Sequence, residues 1–174
     1  MFDELSLNIL DIGMNSIAAG ATIVQITIIE DKQANWLIVR VRDNGRGMDN
    51  KTLRRVLTKN TSTKASRKKP IGLGLALLRQ TSEMCGGTFH IRSRPADGTS
   101  VTASMRLSHV DRPPLGDLNT SILALCAANP TADIQLDCHS NDGAFQFSSQ
   151  EGKHHEPRRT QKAQRESPAA SRAA

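Results

Sequence analysis

Apolar residues recur through Glu4 to Ala19, ELSLNILDIGMNSIAA, without the strict alternation of a strand, and this spacing predicts a helix. TIVQITIIE and NWLIVRVRD are rich in β-branched residues and are separated by DKQA, which predicts a hairpin. LGLALLRQTSEMC reads as a second helix, with Gly86 and Gly87 as its C-terminal stop. TFHIRSR and TSVTASMRL, around PADG, predict a second hairpin. HVDRPPLGD has the stiffness of a connector. Beyond it LNTSILALCAA reads as a helix, and ADIQLDCH with AFQFSS around NDG predicts a third hairpin, which either extends the first sheet or forms a small satellite. From Gln150 onward there is almost nothing to bury, and a disordered tail is expected. Hairpins with helices set apart from them predict a layer of helices on one face of a largely antiparallel sheet.

A chain of 174 residues is long enough for one domain with its own core, plus appendages. Aromatic residues make up only 3 %, so the core must come from Ile, Leu, Val, Ala and Met, which argues against base-stacking platforms. The formal charge of +6 changes meaning once it is divided along the chain. Residues 51–69 hold eight Lys/Arg and no acid, and residues 151–174 hold six basic residues against three acidic ones. The remainder carries nine basic and fourteen acidic residues, a net −5. Basicity is therefore expected in one internal loop and one tail, and not on a broad face that could track a duplex. Cys85, Cys126 and Cys138 are odd in number and lack CxxC spacing, so neither a disulfide framework nor a zinc site is indicated. No apolar run reaches a membrane span and no charged-then-apolar leader opens the sequence, so a soluble cytoplasmic protein is expected, with no membrane partner.

Three stretches carry candidate chemistry. In the first helix, Asn8, Asp11 and Asn15 share one face, while Leu5, Ile9, Leu10, Ile12, Met14 and Ile17 make most of the rest apolar. That polar stripe either faces solvent or faces a polar ligand or ion. DNGRGMDN, from Asp43 to Asn50, invites three chemical readings besides a plain turn. A calcium loop fails, because its third and fifth positions are Gly45 and Gly47 and its twelfth is Arg54. The match of GRGMDNKT to a Walker loop lacks the second glycine and places Asp49 beside the phosphate. The third reading makes Asp43 a buried acceptor, with Gly45 and Gly47 letting the backbone pass close to a flat ligand. IGLGLALL puts Gly72 and Gly74 at a helix start, where free N–H groups favour phosphate. Between the two glycine pairs, KTLRRVLTKNTSTKASRKKPI reads as a long polar loop.

The order of these features resembles the GHKL (Bergerat-fold) ATPase superfamily of sensor histidine kinases, anti-sigma-factor kinases, type II topoisomerases, mismatch-repair ATPases and the heat-shock chaperone. LDIGMNSIAAGAT is similar to the N box, DNGRGM to the first glycine box, IGLGLALL to the second, and DGTSVTASMRL to the closing glycine-threonine strand. The resemblance implies an α/β two-layer sandwich, a mixed and largely antiparallel sheet with helices on one face. It implies a histidine-kinase-like ATP-binding domain over residues 1–108 with a basic lid at about 51–71, a helix-plus-hairpin extension over 109–149, and a disordered basic tail over 150–174.

Carried over by position, the resemblance makes Asn15 the asparagine that holds magnesium bridging the phosphates, and Asp43 the acceptor of the adenine amino group, with Thr99 joining through a shared water. Gly45 and Gly47 would shape the adenine pocket, and Gly72 and Gly74 would let backbone amides reach the phosphates. Lys64, Arg67, Lys68 and Lys69 of the lid are candidate phosphate contacts. Hydrolysing members of the superfamily carry glutamate where this chain has Asp11, one methylene shorter, as the candidate general base. All five histidines lie downstream of the N box. The chain therefore reads as a small stand-alone catalytic-type domain, similar to short ATP-binding proteins of anaerobic bacteria. The expected function is Mg-ATP binding in regulation or signalling, as a kinase or weak ATPase acting on a separate protein. The alternatives are a non-catalytic ATP-gated interaction module and nucleic-acid binding through the basic loop and tail.

Overall fold

The computed structural model of the protein describes residues 4–58 and 73–151. In chain order the elements are α1 (Leu5–Ala18), β1 (Ile23–Asp31), β2 (Trp36–Asp43), α2 (Asn50–Thr58), α3 (Leu73–Met84), β3 (Phe89–Arg94), β4 (Gly98–Arg106), α4 (Leu118–Ala128), β5 (Asp133–Ser140) and β6 (Gly143–Ser148). The six strands form one sheet in the order β3-β4-β2-β1-β5-β6. All neighbours are antiparallel except β1 and β5, which run parallel from Ile23 opposite Asp133 to Glu30 opposite Ser140.

Alternation along the strands puts Val24, Ile26 and Ile28 of β1, Leu37, Val39 and Val41 of β2, Val101, Ala103 and Met105 of β4, and Ile134 and Leu136 of β5 on one buried face. Leu5, Ile9 and Ile12 of α1, Leu75 and Leu78 of α3, and Ile122 and Leu125 of α4 complete the same core. The expected two-layer arrangement is therefore present, with the opposite sheet face left open among the described residues.

The third hairpin extends the first sheet. A parallel partner for β1 requires a long crossover, and the chain between them supplies one through α3, the β3–β4 hairpin and α4. The connector ahead of α4 also closes the start of α1. No side chain caps that helix, and the N–H groups of Leu5 and Ser6 instead donate to the carbonyls of Pro114 and Leu115 at 3.0 and 2.8 Å. Asp117 caps α4 by accepting from Thr120 N at 3.0 Å. Leu125 of α4 sits over Gly13 of α1 so closely that a Cβ on Gly13 would come within 2.7 Å of its methyl groups. Leu125→Ala is expected to cost about 3 kcal/mol by opening a cavity at this fully buried position, read as a lower urea midpoint with an unchanged slope.

One expectation fails. The stretch from Lys51 reads as loop in the sequence, yet residues 50–58 form α2. Asp49 accepts from Thr52 N at 2.6 Å at the helix start. These Thr52 hydrogen bonds also hold its carboxyl below the usual carboxylate range. Leu53, Val56 and Leu57 fall on one side of the helix and are half-buried, while Lys51, Arg54 and Arg55 are exposed. The rest of the expected lid, residues 59–71, and the tail beyond Glu151 lie outside the described residues. All three cysteines are free thiols whose ionisation burial pushes up, Cys138 to about 11. Among the described residues no helix is long and apolar enough to cross a membrane.

Candidate functional site

α1 ties the two glycine segments together. Ser16 Oγ lies 2.8 Å from Asp43 Oδ2, where β2 ends and the first glycine segment begins. Asp11, five residues earlier and so about 7.5 Å along the helix axis, accepts from the Gly74 N–H through Oδ2 at 3.0 Å. DNGRGM and the glycine that opens α3 are 31 positions apart, counted from Asp43 to Gly74, and meet on about one and a half turns of one helix.

Asp43 is the most heavily engaged of these groups and is only 8 % exposed. Its Oδ1 accepts from Gly45 N at 2.9 Å and from Thr99 N at 3.2 Å, across the β2–β4 pairing in which Asp43 stands opposite Thr99. Its Oδ2 accepts from Ser16 alone among the described residues. A carboxylate oxygen can take two hydrogen bonds, so Oδ1 is filled and Oδ2 keeps one acceptor position. Thr99 joins Asp43 through its backbone, while its hydroxyl pairs with Ser93 Oγ at 2.9 Å.

The glycines have distinct reasons. Gly45 packs against Ala19, where a Cβ would lie 3.1 Å from both the Ala19 Cβ and its carbonyl oxygen. Gly47 has φ +64°, and a Cβ there would overlap the Arg94 carbonyl at the β3–β4 turn. Gly47 is thus fixed by close approach to a neighbouring turn. A Cβ on Gly74 would overlap the Asp11 carboxylate, so this glycine is what lets α3 start against α1.

Asn15 is half-buried one turn beyond Asp11 on the same face. Asn8, the third member of the stripe, is only 2 % exposed; its Nδ2 donates to Glu4 O at 3.4 Å, and its Oδ1 has no partner among the described residues. The described residues also contain no group of three His, Cys, Asp or Glu side chains that could hold a metal ion. Gly72, Lys64, Arg67, Lys68 and Lys69 lie outside the described residues. Ser16 was missed by the sequence reading, although its place one residue after Asn15 in the N-box stretch put it within reach of whatever that stretch holds. Ser93, which accepts from Met48 N at 2.8 Å and steadies the loop after Gly47, left no readable signal.

The chain was compared with known proteins. The profile described as "Histidine kinase-, DNA gyrase B-, and HSP90-like ATPase" matches residues 1–109. Sensor histidine kinase YvrG of Bacillus subtilis (strain 168) is 35 % identical over 81 residues, 45 % of this chain and 14 % of that protein. Sporulation kinase D of the same organism is 30 % identical over 105 residues, 60 % of this chain and 20 % of that protein. The chain thus spans a fifth or less of the length of these relatives. Among solved structures, the N-terminal domain of a DNA repair protein superposes with a TM-score of 0.55 at 16 % identity, covering 83 % of this chain and 51 % of that one. The Aquifex aeolicus MutL ATPase domain complexed with ADP gives 0.53 at 17 % identity, covering 80 % and 61 %. These two likenesses are of fold. With more than half its length matched by the profile and the sheet, helices and glycine segments in the order described, this chain belongs to the histidine kinase-, DNA gyrase B- and HSP90-like ATPase family.

Proposed function

We propose that this protein binds Mg-ATP as a regulatory or signalling component of the histidine-kinase-like type and acts on a separate protein, as a kinase in trans. The observation that supports it most is the pair of hydrogen bonds on α1, Ser16 donating to Asp43 and Asp11 accepting from Gly74, because it brings the segments proposed for adenine and for phosphate onto a single helix. The acceptor position left on Asp43 Oδ2 suits an amino group arriving from the ligand, with Gly45 and Gly47 shaping the pocket and Thr99 flanking it. The positive dipole end of α3 favours phosphate, and Gly72 and Gly74 are the proposed glycines of that end of the site, with the Gly74 N–H, held by Asp11, to be released to the nucleotide. Lys64, Arg67, Lys68 and Lys69 are the proposed phosphate contacts of the lid.

Magnesium fits the residues present. Asn15 stands one helical turn beyond Asp11 on the same side of α1, and an ion that takes one or two protein oxygens and completes its shell with phosphate and water would need no larger cage. When bound, it offsets charge on the phosphates. The chain's own contribution is to orient the nucleotide through Asp43 and to hold a carboxylate, Asp11, where an attacking group could surrender a proton.

One feature favours a second reading, an ATP-gated interaction module without turnover. Asp11 is already committed to the Gly74 N–H, and its short side chain cannot keep that bond while reaching outward as a glutamate could. Asp11→Asn separates the two. The amide oxygen still accepts from Gly74, so ATP affinity measured by calorimetry is expected to stay within about threefold, whereas a proton acceptor is lost and turnover falls by roughly a hundredfold. Turnover equal in wild type and variant removes Asp11 as a base. Binding without turnover in both proteins, with candidate partners present, leaves the module reading.

A further inference from the structure

The open face of the sheet gathers charge that the linear sequence disperses. Of the nine basic residues outside residues 51–69 and the tail, five are arginines on this face: Arg40 and Arg42 of β2, Arg92 and Arg94 of β3, and Arg106 of β4. His90 joins them. The register places Arg42, Ser100 and Arg92 in one row across β2, β4 and β3, and Arg40, Thr102 and His90 in the next. Directly opposed residues point to the same side, so the first row reads guanidinium, hydroxyl, guanidinium and the second guanidinium, hydroxyl, imidazole. Residues two apart on a strand are about 6.6 Å apart and alternate strands about 9.6 Å, so these side chains are spread along an open depression in the sheet face, which Asp97 also lines. Among the described residues the ion pairs are Lys32–Asp142 and Arg79–Glu83, His109 and His139 lie beside Asp111 and Asp137, and none of these contacts involves the arginines of this face. Arg106 lies over the Trp36 ring at 4.0 Å, and Arg40 donates weakly to Thr102 at 3.4 Å. Arg42, Arg92 and Arg94 are exposed. The expectation that no broad basic face exists is therefore corrected: strand alternation builds one from VRVRD and IRSRP.

We propose that this face docks double-stranded nucleic acid through its phosphate backbone. Arginine guanidinium groups interleaved with serine and threonine hydroxyls are the donors that phosphate oxygens take up, and their spacing admits more than one phosphate at a time. The basic end of the face offers no apolar anchor of the kind that dominates protein interfaces, since Trp36, the only tryptophan, is already covered by Arg106. With no exposed phenylalanine or tryptophan ring on β2, β3 or β4, the contact is to backbone and is independent of base sequence.

The test is fluorescence anisotropy of the full chain with a labelled mixed-sequence DNA duplex between about 50 and 200 mM salt, with and without saturating Mg-ATP. Wild type is expected to bind, to lose roughly a hundredfold in affinity over that range, and to be insensitive to ATP. Arg42→Ser, Arg92→Ser and Arg94→Ser combined should lower the salt slope by about three and the affinity at the low-salt end by roughly a thousandfold. The three Lys counterparts should retain most of both, and thermal midpoints would show that each variant is folded. Wild-type behaviour of the triple Ser variant would assign any binding to the basic loop or tail and overturn the proposal, as would absence of binding at about 50 mM salt. Tighter binding of a glutamate-rich peptide of equal charge would overturn it in favour of an acidic protein partner.

Discussion

Asp43→Asn is expected to lower ATP affinity by at least about a hundredfold, close to 3 kcal/mol, while the protein stays folded. The separation of the two effects follows from the hydrogen-bond pattern. An asparagine oxygen in the Oδ1 position can still accept from Gly45 N and Thr99 N. Its amide nitrogen then takes the Oδ2 position and donates to Ser16 Oγ. Ser16 can accommodate this by turning its own proton to the Ile12 carbonyl, already 3.1 Å away. What cannot be replaced is the spare acceptor position on Oδ2, which becomes a donor facing the ligand's amino group. Two donors aimed at each other leave both unpaired, which is why a single-atom change discriminates so strongly. Calorimetric titration with Mg-ATP reads the affinity and a thermal melt reads the fold. Unchanged affinity would place the adenine elsewhere on the molecule.

Gly47→Ala is expected to cost at least about 3 kcal/mol, a fall of roughly 10 °C in melting midpoint for a chain of this size. Two terms add: the positive φ disfavours any side chain by about 1–2 kcal/mol, and the new methyl group must displace the Arg94 carbonyl in a turn of the sheet. Gly20→Ala is the matched control. Gly20 also has a positive φ, +78°, but nothing lies within 4 Å of where its Cβ would be, so only the backbone term of about 1 kcal/mol applies. A Gly47→Ala melt within about 3 °C of the control would mean that the β3–β4 turn yields freely.

The helices and hairpins were legible because their signals are local: β-branched runs broken by DKQA, PADG and NDG state where strands begin and turn. α2 was not, because basic residues crowd a segment in which only Leu53, Val56 and Leu57 carry the helical spacing. Here one apolar side against β3 outweighed the polarity of the rest. The parallel pairing of β5 with β1 could not be read at all, since nothing in ADIQLDCH names a partner 110 positions away. In the site, the order of four short motifs pointed to Asp11, Asn15, Asp43 and Gly74, but the bonds that join them, Asp11 to Gly74 and Ser16 to Asp43, are products of helix packing. The arginine face shows the same limit from the other side. Counting charge along the chain averages away a two-residue period that only the pleat makes visible.

The parallel strand in the middle of the sheet has a consequence for the nascent chain. β1 finds β2 within a few residues of leaving the ribosome, yet its other side waits until residues 133–140 are made, long after the family-matched segment, which ends at 109, is complete. During that interval Val24, Ile26 and Ile28 belong to a half-made sheet with a row of unsatisfied amides, the kind of surface on which chains stick to one another. A fragment trimmed to the family boundary would lack β5 and leave that edge of β1 without the partner it has in the full sheet.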